Sequence, residues 1–330
     1  MSPVHRQQDD ATPGPGAKAE LARVAAAVGA PDFVLPWLDR FYDDQDAALV
    51  LAASGVEPAG GAAAFAPTDA DRLYRAVRRA VLDRDDAGAY APASFHDRLE
   101  FWAMLEGWKD VPTDVHRGLA DWDVDFYAEH IRAGVEAVRD GVAPADPADD
   151  QGDYTYVLLE EGEAILAAQE HIYLWPCDCR AIVGACRKPM YACLRFDNDR
   201  GVGWEISRER AIAILRETDK AGLMHTADYR GDPAAAGAIC NCCTDCCYPH
   251  LATDRLGTSA VWPVRRYVAS IDEDACTACG KCSRRCPFAA FTSGEDKRPR
   301  LEPSACRGCG VCATGCKDAA IAMRPLGASA

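Results

Sequence analysis

The sequence predicts an α+β chain in three parts: a helical N-terminal domain, a cysteine-rich α+β middle domain and a C-terminal domain built as a repeat. Three observations carry this. Apolar residues recur at helical spacing from Ala17 to about Gly141. The stretch GVAPADPADDQGD at 141–153 has two prolines, many acids and few apolar residues, and reads as a linker. All 17 cysteines fall after residue 176.

The N-terminal elements follow in order. Residues 1–16 are rich in Pro, Gly and polar groups and read as a disordered tail. The domain expected over 17–141 begins with Leu21, Val24, Ala25 and Val28 at helical spacing. Phe33, Trp37 and Phe41 repeat the pattern, paired with Val34, Leu38 and Tyr42. Thr68 is placed to cap the next helix, with Asp71 three residues on. That helix puts Leu73, Val77 and Val81 on one face and Arg72, Arg75, Arg78 and Arg79 on the other. The polar run from Asp83 to Tyr90 suggests a hairpin. Helices, a helix with a basic face and then a hairpin is the order of a winged helix. Phe95–Trp108 and Trp122–Val138 read as further helices.

A linker at 142–153 leads to the middle domain, 154–263. A strand is expected at Tyr154–Leu159 and a helix at Glu160–His171. Ser207 can cap a helix carrying Ile212 and Leu215 that ends near Gly222. The cysteines of this region are expected in loops.

The last domain, 264–325, holds the most specific motif. Cys276-x2-Cys279-x2-Cys282-x3-Cys286-Pro287 is followed by Cys306-x2-Cys309-x2-Cys312-x3-Cys316, each cysteine 30 residues after its counterpart. The flanks repeat too: Ile271 matches Leu301, Asp272 matches Glu302, and Phe291 matches Ile321. Each iron of a cubane takes one thiolate, so three close cysteines wrap one cluster, and the fourth of each run reaches to the other cluster. This predicts two [4Fe–4S] clusters. Cys276, Cys279, Cys282 and Cys316 hold one; Cys306, Cys309, Cys312 and Cys286 hold the other. Gly280, Gly308, Gly310 and Gly315 let the loops bend. Lys317 stands where the first run has Pro287, placing a positive charge near one cluster. Paired C-x2-C motifs also bind zinc, but two tandem runs of this spacing suit tetrahedral zinc poorly.

Nine further cysteines come earlier: Cys177, Cys179, Cys186 and Cys193, then Cys240, Cys242, Cys243, Cys246 and Cys247. Some can be small buried hydrophobes. Five within eight residues, with Asn241 among them, point instead to a metal site. Nine thiols exceed the needs of one cubane or one zinc. The second group can therefore split between a site and its surroundings, or between two sites. At least one extra iron–sulfur cluster is preferred over zinc here. Arg180 either donates hydrogen bonds to cluster sulfurs or faces solvent or an ion-pair partner. His225 reads as a satisfied core or loop histidine rather than a ligand.

The whole chain resembles a family of uncharacterised bacterial and archaeal iron–sulfur proteins. The resemblance rests on Cys177-Asp178-Cys179-Arg180, Cys240-Asn241-Cys242-Cys243 and the tandem runs. The Phe95-His96-Asp97-Arg98-Leu99-Glu100-Phe101 stretch and Trp108 are similar as well. It implies a winged-helix-like N-terminal segment, a cysteine-rich middle and a C-terminal two-[4Fe–4S] ferredoxin domain.

Composition bounds the function. The chain carries 36 basic and 51 acidic residues, a net charge of −15. Such a charge repels nucleic acid as a whole and can attract a basic redox partner protein. No apolar run approaches the ~20 residues of a membrane span, and no secretory pattern opens the sequence. A cytoplasmic location is expected, with cysteines that bind metal rather than form disulfides. No Gly-rich dinucleotide fingerprint stands out. The preferred expectation is an electron-transfer protein or redox subunit. The alternatives are a reductase with its reactive centre in the middle domain, acting on a substrate the sequence does not identify, and a redox-sensing winged-helix regulator. The regulator would use Arg72, Arg75, Arg78, Arg79 and Arg84, a set equally suited to an ordinary solvated face.

Overall fold

The structure, a computed structural model, describes residues 15–55, 69–141, 154–229, 231–294 and 296–326. The expected linker and the Thr68 cap lie outside these residues. The chain divides into two compact units, Met1–Val115 and His116–Ala330.

In the first unit, α1 (Pro15–Val28) starts within the last residues of the expected tail. Asp32–Arg40 forms a 3-10 helix rather than an α-helix. Pro36 inside it has no N–H to donate to a regular α-helical ladder. Next come α2 (Asp44–Ala53), α3 (Ala70–Arg78), a hairpin of β1 (Leu82–Arg84) and β2 (Tyr90–Pro92), and α4 (Phe95–Leu105). Asp69 caps α3, its carboxylate accepting from Arg72 N at 3.1 Å. The hairpin turns where the polar run stands, with Ala89 N donating to Asp85 Oδ1 at 2.7 Å. Leu73, Ala76 and Val81 are buried, while Val77 is only half-buried.

The basic face of α3 is partly committed inside this unit. Arg72 Nη2 donates to Gln45 O at 2.9 Å, and Arg79 pairs with Asp46 and Glu106, each at 2.9 Å. Arg84 lies over the Tyr90 ring at 5.9 Å. Arg75 and Arg78 are exposed.

Arg98 is the central polar group of this unit and is fully buried. Its Nε donates to Phe41 O at 2.8 Å, and its Nη1 donates to Arg79 O at 3.1 Å and pairs with Glu106 at 2.8 Å. The guanidinium also covers the Tyr42 ring. Phe41 packs against Phe95 and Trp102, and Trp102 against Trp108. Removing one partner of a buried charged network strands the groups left behind. Arg98→Met should therefore destabilise the first unit by about 2–4 kcal/mol. Urea unfolding of the full chain is the measurement, and a loss under about 1 kcal/mol would contradict this role for Arg98.

The second unit opens with α5 (Thr113–Arg139), whose first three residues precede the division between the units. Then follow β3 (Tyr154–Val157), α6 (Leu159–Ala168), β4 (Tyr173–Pro176), α7 (Asp178–Val183), β5 (Tyr191–Arg195) and β6 (Trp204–Glu205). Next are α8 (Arg208–Lys220), β7 (Met224–Asp228), β8 (Ala238–Cys242) and α9 (Tyr248–Leu256). Ser207 caps α8 by accepting from Arg210 N at 3.2 Å. The strands form one antiparallel sheet in the order β3-β7-β8-β5-β4-β6.

The sheet is two-faced because side chains alternate along a strand. Val157, Ala227, Ile239 and Leu194 point to one face, where they pack against Ile165 and Leu166 of α6 and Ala211 and Leu215 of α8. Thr226 pairs with Cys240 and Met224 with Cys242, so these residues share the opposite face.

The remaining elements are β9 (Tyr267–Ile271), α10 (Lys281–Arg285), β10 (Phe291–Ser293), β11 (Pro299–Leu301), α11 (Val311–Thr314) and β12 (Ile321–Pro325). The sequence repeat is a structural repeat. Phe291 pairs with Leu301, and Ile321 pairs with Ile271. Backbone exceptions recur 30 residues apart: Ala278 with Gly308, Gly280 with Gly310, and Ala289 with Ala319 all have positive φ. Among the described residues, no single helix is long and apolar enough to cross a membrane.

Candidate metal centres

Two cavities in the repeat are lined by cysteines. The first is bordered by Cys276, Cys279 and Cys282 of the first run and by Cys316 of the second. The second is bordered by Cys306, Cys309 and Cys312 of the second run and by Cys286 of the first. Each cavity therefore takes three thiols from one run and the fourth from the other. This donor set and spacing fit the thiolate shell of a cubane.

The two cavities differ in depth. Cys279 is exposed and Cys276 half-buried at the outer one, whereas Cys306, Cys309 and Cys312 are all buried at the inner one. Burial pushes the Cys309 thiol up to about 12 and raises the Cys312 thiol further. Such thiols ionise only against a compensating cation. Lys317 is exposed beside Cys316.

The nine middle cysteines fall into two groups. Six close into a ring by thiol–thiol contacts: Cys177 to Cys179, Cys179 to Cys247, Cys247 to Cys242, Cys242 to Cys240, Cys240 to Cys193, and Cys193 back to Cys177. The Cys247–Cys242 contact is 3.2 Å. Bonds from their neighbours lower the pKa of Cys177, Cys240 and Cys247, and the alternating members Cys179, Cys193 and Cys242 are raised. The other three, Cys186, Cys243 and Cys246, lie within 4.8 Å of one another.

The expectation of loops is corrected here. Cys193 lies on β5 and Cys240 and Cys242 on β8, while Cys179 is in α7 and Cys247 is the N-cap residue of α9. The strand cysteines share a face because two-residue alternation puts them there. His225 lies on β7, buried, with Nδ1 2.6 Å from Asn241 Oδ1. Its register pairs it with Asn241, on the face away from Cys240.

Arg180 is buried rather than solvent-facing. Its Nη1 donates to Pro189 O at 2.9 Å and its Nη2 to Asn241 O. Burial pulls its pKa down, but Cys177, Cys243, Cys193 and Cys242 outweigh this and hold it above its ordinary value. Sequence reasoning missed two hydroxyls at the ring. Thr226 Oγ1 lies 3.3 Å from Cys242 Sγ, and Tyr154 Oη lies 2.5 Å from Thr226 Oγ1 and 3.8 Å from the same sulfur. A Tyr and a Thr in β-strands carry no local signal of this role.

The inner cavity and the ring meet in one packed cluster. Tyr156, Met224, Cys242, Cys247, Cys309 and Val311 are its buried members, and Phe288 packs against it. Beside the ring a cleft opens, bordered by Cys193, Cys240, Asp178, Arg195, Asp228 and Tyr154 among others. Burial first, then the Cys177 thiolate, push the Asp178 carboxyl up to about 6 against the pull of Arg195.

Residues 269–325 match the 4Fe-4S dicluster domain family. The matched segment spans both cysteine runs and both cavities. This supports an iron–sulfur electron-transfer role for the chain. No curated protein matches it.

The loop of the inner site depends on Gly308. A Cβ there would lie 2.3 Å from Tyr267 O. Ala278, its counterpart, holds an alanine at positive φ, so the close approach rather than the backbone angle demands glycine. Gly308→Ala should cost about 1–3 kcal/mol in urea unfolding. Ala278→Gly should stay within about 1 kcal/mol of the wild type, and equal losses from both would refute the steric account.

Proposed function

We propose that this protein relays electrons through two [4Fe–4S] clusters to a third iron–sulfur centre on the six-cysteine ring. Cys276, Cys279, Cys282 and Cys316 hold the outer cluster, and Cys306, Cys309, Cys312 and Cys286 the inner one. When bound, such clusters supply one-electron chemistry. The chain's own residues set the order: the half-exposed outer thiols face a redox partner protein, and the buried inner thiols adjoin the ring through Tyr156 and Met224. The observation that carries this reading is the shared packing of Cys309 with Cys242 and Cys247.

Four of the six ring thiols suffice for one cubane. Three alternate members, such as Cys177, Cys240 and Cys247, can each take a different iron, and the fourth ligand comes from one of the remaining three thiols. Thr226 and Tyr154 add hydroxyls that hydrogen-bond the sulfurs and tune the potential. The resemblance of the whole chain and a cytoplasmic setting are consistent with this role.

Iron and sulfide analysis of anaerobically purified protein should give about 12 irons per chain. Cys242→Ser should lower this towards about 8 and leave the EPR signals of the two C-terminal clusters in place. A wild-type content of about 8 would remove the third centre from the scheme.

The open cleft favours a second reading, a reductase whose reactive centre is the ring. Cys193 and Cys240 border both the cleft and the ring, so a small polar molecule can reach the thiol face there. Filling the cleft with Ala238→Trp should slow reoxidation of the reduced protein by hydroxylamine about tenfold and spare reoxidation by a basic cytochrome. Unchanged rates with both acceptors would leave the relay alone. By contrast, the commitments of Arg72, Arg79 and Arg84 within the first unit lend the regulator no support.

A further inference from the structure

We infer that Cys186, Cys243 and Cys246 form a second, separate metal site that binds one thiophilic divalent ion of the zinc class. It goes beyond the relay, which needs only the ring and the two C-terminal sites.

Geometry separates the two middle groups. All three sulfurs of the triad lie within 4.8 Å of one another, and Cys186 and Cys243 are 3.8 Å apart. Thiolates sharing one tetrahedral ion at a metal–sulfur distance of ~2.3 Å stand about 3.8 Å apart. Ligands of a cubane sit on different irons and need more room. The triad, with every pair of sulfurs within 4.8 Å, does not offer that room.

The surroundings suit a compact charged centre. Cys243 and Cys246 are buried beside Leu223, with Val183 packed against them. Three thiolates and a divalent ion leave one negative charge, which the Arg180 guanidinium offsets. Arg180 is buried to within 4% of its surface, and its Nε has no hydrogen-bond partner among the described residues. That donor is free to serve a metal-bound sulfur. With three protein ligands in the group, the fourth tetrahedral position falls to water or an external donor, reached past the half-buried Cys186.

Elemental analysis of the anaerobic full chain tests this. About one zinc per chain is expected beside the iron. Cys186→Ser and Cys246→Ser should each lower zinc about tenfold and leave iron and the cluster EPR signals unchanged. Cys242→Ser should do the reverse. If a triad variant fails to fold, cobalt added to zinc-stripped wild type should give an intense thiolate-to-metal absorption band. Triad variants that lose about four irons instead would overturn the inference, because the triad would then belong to an iron–sulfur cluster. Wild type that neither contains zinc nor takes up cobalt would also overturn it. Iron content reports on the relay and zinc on this site, so either can fail alone.

Discussion

The second unit is organised by the need to hold many thiols close together out of water. A buried thiolate is costly unless a cation or several hydrogen bonds face it. Seventeen cysteines follow residue 176, and the structure gathers them at four places. Each place has some means of balancing charge. At the two C-terminal cavities, four thiols converge on a space that a cluster can fill. At the ring and the triad, Arg180 lies between the sulfurs, anchored by its bonds to Pro189 O and Asn241 O.

The antiparallel sheet makes the ring possible. One face carries the apolar core against α6 and α8, and the other carries Cys193, Cys240 and Cys242. Cys177 and Cys179 arrive from the β4–α7 junction, and Cys247 from the start of α9. Three distant segments are thereby brought to one patch. The same face meets the inner C-terminal site at Tyr156, so the thiol ring and the repeat are packed as neighbours. Arg285 ties the repeat to α8 as well: its Nη2 donates to Asp219 O at 2.7 Å, and within the repeat its Nε donates to Val311 O at 2.9 Å. A Cβ on Gly315, the residue matching Arg285 in the second run, would lie 2.4 Å from the Arg285 side chain. The repeat is thus broken where the C-terminal region docks.

The first unit obeys a different constraint. Its helices surround one fully buried arginine. The stretch from Phe95 to Phe101 is distinctive because Phe95, Arg98, Leu99 and Phe101 all point into that core. Arg79 shows how a basic helix face can be structural: its charge answers Asp46 and Glu106.

Local sequence determined what local spacing can encode. The 30-residue repeat, the three-plus-one cysteine pattern, the Ser207 cap and the hairpin after α3 follow from contacts a few residues apart or from a period visible in one dimension. The division of the nine middle cysteines was decided only by tertiary structure. Cys242 and Cys243 are adjacent in sequence, yet one joins the ring and the other the triad, because neighbouring residues at the end of a strand point in different directions. Cys177 and Cys193 join the same ring from different segments, because β4 and β5 pair. The place of Arg180 between the two groups, and of Tyr156 between ring and inner site, likewise depends on strand register, which no stretch of sequence states by itself.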